Sequence, residues 1–367
     1  IRCRCDACGH DLLVAFSCKA RTCPSCAGRR MANTAAHLTD RVLPAVPLRQ
    51  WVLTLPFDVQ RLAAFKAPVL SAMLRIFVDR LFVLYKNRAR TLGIDDAACG
   101  AVTFVQRFSS TLSLFVHFHV VVADGVFRTT EDGTVSFQPL LPPTRSELDG
   151  LVLDVYTRSL AWLRRKGFLA PREAEDEEES DATAFDACVE TASRRAALTT
   201  LDDAGERAPP GPTDQETRKE ERKKSFVSAH GGFNLHAGTY VAADDDVGRE
   251  KLCRYGARPA FAVDRLAQLD DGRVAFELES PRDARRTHLV MAPVELLARL
   301  AAIMPPPRYP LTRFHGVFAP NSSWRRRIVP RPRLTDTSKC GTGVRTAPGG
   351  ATHSLPSEAA SASLQSR

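Results

Sequence analysis

No run of about 18 apolar residues occurs anywhere in the chain, which removes a membrane-spanning helix from consideration. No export signal opens it either. The first residue is Ile1 rather than methionine, so the sequence is expected to be a fragment of a longer reading frame. Beyond residue 26 cysteine is rare, occurring only as Cys99, Cys188, Cys253 and Cys340. A secreted disulfide scaffold would spread its cysteines and carry an export signal, so the cluster at one end reads better as a metal site. Tyrosine is scarce too, with five in 367 residues, and each can be weighed singly. There are no internal repeats, which excludes a solenoid.

What is present describes an ordinary soluble protein of two or three modest domains, 44% hydrophobic and 25% charged. The expected compartment is the cytoplasm. Lys and Arg number 51 against 42 Asp and Glu, a formal charge of +9. The acids are unevenly spread, with Glu173, Glu175, Asp176, Glu177, Glu178 and Glu179 in one short run. The rest of the chain is therefore more basic than the total, which favours a polyanionic partner such as nucleic acid.

Hydrophobic periodicity gives an α+β fold. A strand is expected over residues 49–56, a helix over 62–90, and strands over 101–108 and 112–122. Asp124-Gly125 reads as a hairpin turn into Val126-Phe127. Helices follow at 150–167, 247–258 and 293–304, with a strand pair at 273–279 and 288–291. The organisation is a cysteine-rich module at 1–45, a main domain split between 46–170 and 226–330, and an acidic insertion or linker at 171–225 holding one helix near 184–197. A disordered tail occupies 331–367.

Three local patterns carry chemistry. Cys5-x2-Cys8 and Cys23-x2-Cys26 are two knuckles, each able to place two thiolates on one side of a tetrahedral zinc. Cys18 is a further candidate, and Cys3 and His10 are weaker ones. The alternative is unliganded reduced cysteine, which this spacing disfavours. A zinc so held is structural, and Lys19, Arg21, Arg29 and Arg30 beside it suit DNA contact. His117-Phe118-His119 lies within an apolar run, so on a strand both imidazoles face one way and can hold one divalent ion. An isolated His-x-His is more often a surface pair, yet these apolar flanks would make two idle histidines costly. Tyr255 shares a helical face with Lys251, Arg254 and Arg258, with Pro259 ending the helix. A tyrosine ringed by cations can bind phosphate and attack phosphorus; equally, it can simply pack on an amphipathic helix.

Taken in order, the motifs resemble the rolling-circle transposases of the insertion-sequence-91 type and the related common-region elements. The matching stretches are the N-terminal cysteine cluster with Arg29-Arg30-Met31, Arg49–Pro56, Ala101–Phe108, His117–His119 with Asp124–Phe127, Leu252–Tyr255 with Arg258-Pro259, and His315–Asn321. Each is weak alone; the ordered set is specific. The resemblance implies a His-hydrophobe-His (HUH) endonuclease, with the histidine pair central in an antiparallel sheet flanked by helices and the tyrosine on a nearby helix. It implies Tyr255 as the nucleophile on single-stranded DNA at element ends, giving a 5′-phosphotyrosine, with Mg²⁺ or Mn²⁺ on His117 and His119. Gln106 and His236 are both candidates for a third ligand. Target DNA and host replication or helicase machinery are the implied partners, and the bacterial nucleoid the implied location. Two-tyrosine members place those residues four apart, and Lys251 holds the earlier position here, so the chain is similar to a single-tyrosine branch. The N-terminus looks truncated against the family, and the tail beyond Arg331 departs from it in a way that suggests a shifted reading frame. A catalytically dead zinc-containing DNA-binding remnant is the alternative reading. A small-molecule metallohydrolase would leave the basic tyrosine helix and the zinc module without a purpose.

Overall fold

A computed structural model describes residues 2–4, 11–13, 18, 20, 23–169, 226–278, 287–305 and 309–330. Cys5 and Cys8, the acidic insertion with its helix near 184–197, and the tail from 331 lie outside the described residues. Two short strands, β1 (Arg2–Arg4) and β2 (Asp11–Leu13), pair antiparallel. Helix α1 (Pro24–Arg41) follows, with Pro24 at its first position, where a missing N–H costs nothing.

The centre is a six-stranded antiparallel sheet, the architecture read from the sequence. Its strands are β3 (Leu48–Thr54), β4 (Gly100–Phe108), β5 (Leu114–Ala123), β8 (Val227–His230), β9 (Phe233–Val241) and β13 (Thr312–Gly316), in the order β13-β4-β5-β3-β9-β8. Strand β5 is central and buried along almost its whole length, which is why its sequence is nearly continuous in apolar residues. Val116, Phe118, Val120 and Val122 join the larger core on one face, with α2 (Phe57–Phe65), α3 (Ala67–Arg90) and α4 (Arg145–Arg165) contributing to it. On the other face, Val121 and Ala123 join a second core with Ala35 and Leu38 of α1 and Leu252 and Cys253 of α5 (Asp246–Gly256).

The single helix expected over 62–90 is two helices, broken at Lys66. Pro68 lacks the N–H that would bond the Ala64 carbonyl four residues back. That carbonyl instead accepts from Nη1 of Arg107 at 2.6 Å. The remaining nitrogens of Arg107 donate to Ile303 and Ala302, at the end of α6 (Pro293–Ile303). One buried arginine thus ties two helix ends to β4.

The expected hairpin at Asp124-Gly125 is not formed. Asp124 is buried and receives Nε and Nη2 of Arg49 at 3.0 and 2.7 Å, and the Tyr85 hydroxyl at 2.8 Å. The chain continues into a separate hairpin, β6 (Gly125–Thr129) with β7 (Val135–Pro139). Gly125 is required there, because a Cβ would strike the Gln138 carbonyl oxygen and Pro139 Cα. The expected strand pair is part of a three-stranded sheet, β10 (Leu266–Gln268), β11 (Val274–Glu277) and β12 (His288–Met291). A short helix, α7 (Arg325–Ile328), follows β13. Among the described residues no helix is long and apolar enough to cross a membrane.

Candidate active site

Antiparallel register decides which side chains meet. His119 lies opposite Val52 of β3 and Phe104 of β4, and His117 opposite Thr54 and Gln106. Val52 in turn lies opposite His236 of β9. Directly paired residues share a face, so both histidines of β5, and His236 two strands away, point to the same side. Between Val52 and Gln50 the partner strand carries an extra residue, since Gln50 pairs with Thr239 rather than residue 238. This bulge returns Thr239 and Val241 to the His236 face, a re-aiming bulges often supply beside sites. The result is a cleft of about 610 Å³ lined by Gln50, Thr54, His117, His119 and His236, with Lys251 and Tyr255 from α5.

The two imidazoles are 4.8 Å apart between ring centroids. His117 donates Nδ1–H to the Phe115 carbonyl at 2.9 Å, which leaves the Nε2 lone pair to the cleft. Nδ1 of His119 lies 2.5 Å from the side-chain amide of Gln50, and its buried Nε2 finds no partner among the described residues. Burial pushes His117 down to about 4 and His119 down to about 2, the latter helped by His117 and Arg258. Both are neutral near pH 7, the form a metal ion requires. A buried imidazole nitrogen without a partner, beside a second imidazole, fits a divalent cation.

Tyr255 meets this pair edge-on, its ring centroid 5.4 Å from that of His119. Its helix starts at a cap, where the Asp245 carboxylate accepts from the Gly248 N–H at 2.7 Å. It ends at Gly256, two residues short of the expected Arg258. At Gly256 the backbone closes on Phe104, whose ring a Cβ would strike, so glycine sets the helix-to-sheet distance. Gln106 locks the same end, its Nε2 donating to the carbonyls of Tyr255 and Gly256 at 3.0 Å each. Its Oε1 is buried with no hydrogen-bond partner among the described residues, opposite His117, while His236 lines the cleft directly. The cation ring is partly as expected. The Arg258 guanidinium lies 4.7 Å over the Tyr255 ring, and Lys251 lines the cleft. Arg254 is instead ion-paired to Glu250 at 2.9 Å.

The thiols of Cys18, Cys23 and Cys26 lie within 4.8 Å of one another, with 3.5 Å between Cys18 and Cys26. Thiolates about 2.3 Å from a tetrahedral ion stand roughly 3.8 Å apart, so three corners of a zinc site fit. Cys18, read as an extra candidate, belongs to this cluster. Arg29 and Arg30 follow on the first turns of α1, and Arg30 donates to the Ala20 carbonyl at 3.1 Å.

Residues 100–326 match the model of the family described as "Putative transposase", well over half of the chain. The chain belongs to this transposase family. Residues 1–55 of the chain match the zinc-binding domain of insertion-sequence-91-type transposases, in agreement with the cysteine cluster. Over 119 residues it is 27% identical to the transposase for insertion sequence element IS801 of Pseudomonas savastanoi pv. phaseolicola. That stretch is 32% of this chain and 27% of the relative, so the chain spans about a quarter of that protein's length. No solved structure is similar at a significant level.

Gln50 was not singled out in the sequence as a site residue. Its signal was present but unreadable: a polar residue next to Arg49 in strand β3, whose partner lies 69 positions away. Arg49 beside it faces the opposite side of the sheet. There it donates to the Ala237 carbonyl inside the β9 bulge at 3.0 Å and packs between Phe226 and Tyr240. The bulge next to His236 is therefore braced from behind. Cys253, within the Leu-Cys-Arg-Tyr motif, is a core residue, and burial pushes its thiol up to about 12.

Proposed function

We propose that this chain nicks and rejoins single-stranded DNA at element ends in rolling-circle transposition, with Tyr255 as nucleophile. The observation that carries the reading is the convergence of His117, His119 and Tyr255 in one cleft, although the tyrosine is 136 positions beyond His119. The phenol oxygen attacks a backbone phosphorus, and the bond to the 3′ oxygen breaks. A 5′-phosphotyrosine and a 3′-hydroxyl result; the proton lost by the phenol balances the one gained by the leaving oxygen. One phosphodiester replaces another, so the reverse attack by a 3′-hydroxyl reseals a strand without a nucleotide cofactor. His117 and His119, with His236 as third side chain, would hold Mg²⁺ or Mn²⁺, which supplies charge against the scissile phosphate. For His119 to ligate through Nε2 its proton sits on Nδ1, and the Gln50 amide, whose Nε2 faces that atom, turns to present its oxygen as acceptor. Lys251 and Arg258 neutralise phosphate at the phenol, Arg29 and Arg30 contact DNA from the zinc helix, and Arg254 reaches DNA only by leaving Glu250.

The same reading divides the chain into a zinc module at 1–45, a nuclease domain from 46–170 and 226–330, an insertion at 171–225 and a tail at 331–367. The test is a covalent-adduct assay. A single-stranded element-end oligonucleotide labelled at its 3′ end, incubated with protein and Mn²⁺, should yield a denaturation-resistant labelled protein band. Tyr255→Phe should abolish the band and keep DNA binding. Wild-type binding with no adduct would replace this reading with the DNA-binding remnant.

A further inference from the structure

Behind the tyrosine lies a second cavity, of about 450 Å³, which the nicking reaction does not use. One wall is a stripe of α1, including Ala27, Arg30 and Met31, that follows the zinc-site cysteines. Another is the segment 256–261, which leaves Tyr255 directly. The floor is β4, where Phe104 and Phe108 face it, and Phe261 closes one side.

Three properties restrict the occupant. First, the cavity adjoins the proposed nucleophile: Arg258, which lines it, lies 4.7 Å over the Tyr255 ring and 5.5 Å over Phe108. Second, the walls are apolar and aromatic, which suits a flat ring more than a phosphate. Third, among the described residues no Asp or Glu lines it, while Arg30, Arg107 and Arg258 do. Arg107 spends its donors on the carbonyls of Ala64, Ala302 and Ile303, so it offers charge rather than hydrogen bonds. Aromatic faces bordered by cations are how single strands are held when a base is unstacked from its neighbours.

We infer that this cavity takes one unpaired base of the DNA strand, next to the phosphate presented to Tyr255. The inference rests on the nicking reading, because it places the strand by the phenol. The zinc module is then a wall of the nuclease's substrate site, as well as a DNA contact of its own.

The experiment uses full-length Tyr255→Phe protein, so that no chemistry intervenes. A single-stranded element-end oligonucleotide is varied by placing an abasic site at each position in turn. Affinity should fall about tenfold or more at one position, the size expected for a lost base–aromatic stack. Ala27→Trp fills the cavity from a half-buried helix position and should weaken binding of the intact strand. The same abasic site should then cost nothing further, a non-additivity that identifies the pocket. Phe261→Ala, which removes a wall without adding bulk, should reduce the same position's effect if Ala27→Trp fails to fold. Equal abasic profiles in the parent and in a folded cavity variant would overturn the inference. So would a profile with no distinguished position. These outcomes are independent of the adduct assay: wild type without an adduct but with the abasic signature refutes the nuclease and keeps the base pocket.

Discussion

His119 is held by a single amide on one side and buried without a partner on the other, so its tautomer depends on Gln50. Replacing Gln50 by leucine keeps the bulk and deletes the hydrogen bond. Gln50→Leu should lower nicking about 10- to 100-fold, as loss of a ligand's supporting hydrogen bond does, and raised Mn²⁺ should recover part of it. Single-strand affinity should change little, because phosphate contacts from Lys and Arg dominate it. Nicking at the wild-type rate would remove Gln50 from the metal site. A second histidine acts on stability. His315 of β13 is hydrogen-bonded through Nε2 to the Thr103 hydroxyl at 2.9 Å, and burial, with Arg313 nearby, pushes it down to about 4. The ordinary value is 6.5, so as pH falls the unfolded chain takes the proton first. The contribution is intact above about pH 6.5 and is lost as pH falls towards 4. Thermal melts of His315→Gln should show a flatter acid limb than wild type over that range.

At the level of elements, the cleft depends on what lies behind the sheet. Arg49, Asp124 and Tyr85 form a buried network, with Trp51 Nε1 donating to the Tyr85 hydroxyl at 3.2 Å. It joins β3, the end of β5 and α3 to the bulge of β9. Asp124→Ala would leave the Arg49 guanidinium buried without its carboxylate, a change that costs about 3–5 kcal/mol. Urea unfolding should show that loss, and a change below about 1 kcal/mol would mean the pair is easily replaced by water. Helix α5 is likewise set from outside itself, by Gly256 against Phe104, Gln106 at its last carbonyls and α1 across its buried side.

Across the whole molecule, α1 begins at the cysteine cluster and packs its Ala35 and Leu38 in one core with Leu252 and Cys253 of the tyrosine helix. The cysteine cluster and Tyr255 are thus mechanically linked. The full chain should carry one tightly held zinc, and Cys23→Ser with Cys26→Ser should lose it. The same variant should melt earlier and form less tyrosine adduct, since the brace on α5 loosens. Zinc content equal to wild type would show that these thiols do not hold the ion.

The sequence by itself determined whatever repeats over a few residues. The alternation that puts His117 and His119 on one face, the near-continuous apolar run of β5, the Cys23-x2-Cys26 turn and the cationic helix around Tyr255 are all short-range patterns. Family order added that these belong together. Only the tertiary structure decided pairings between distant segments. Gln50 meets His119 and His236 joins the cleft through sheet register and a bulge, neither of which leaves a local period. Asp124-Gly125 has the composition of a turn, yet a buried Arg49 claims Asp124 and directs the chain into another hairpin. Arg254 has the right helical spacing, but in the fold it pairs with Glu250 one turn earlier. Local spacing fixes the side on which a residue points. The partner it finds there depends on contacts between remote parts of the chain, which are chosen by burial and hydrogen bonding together.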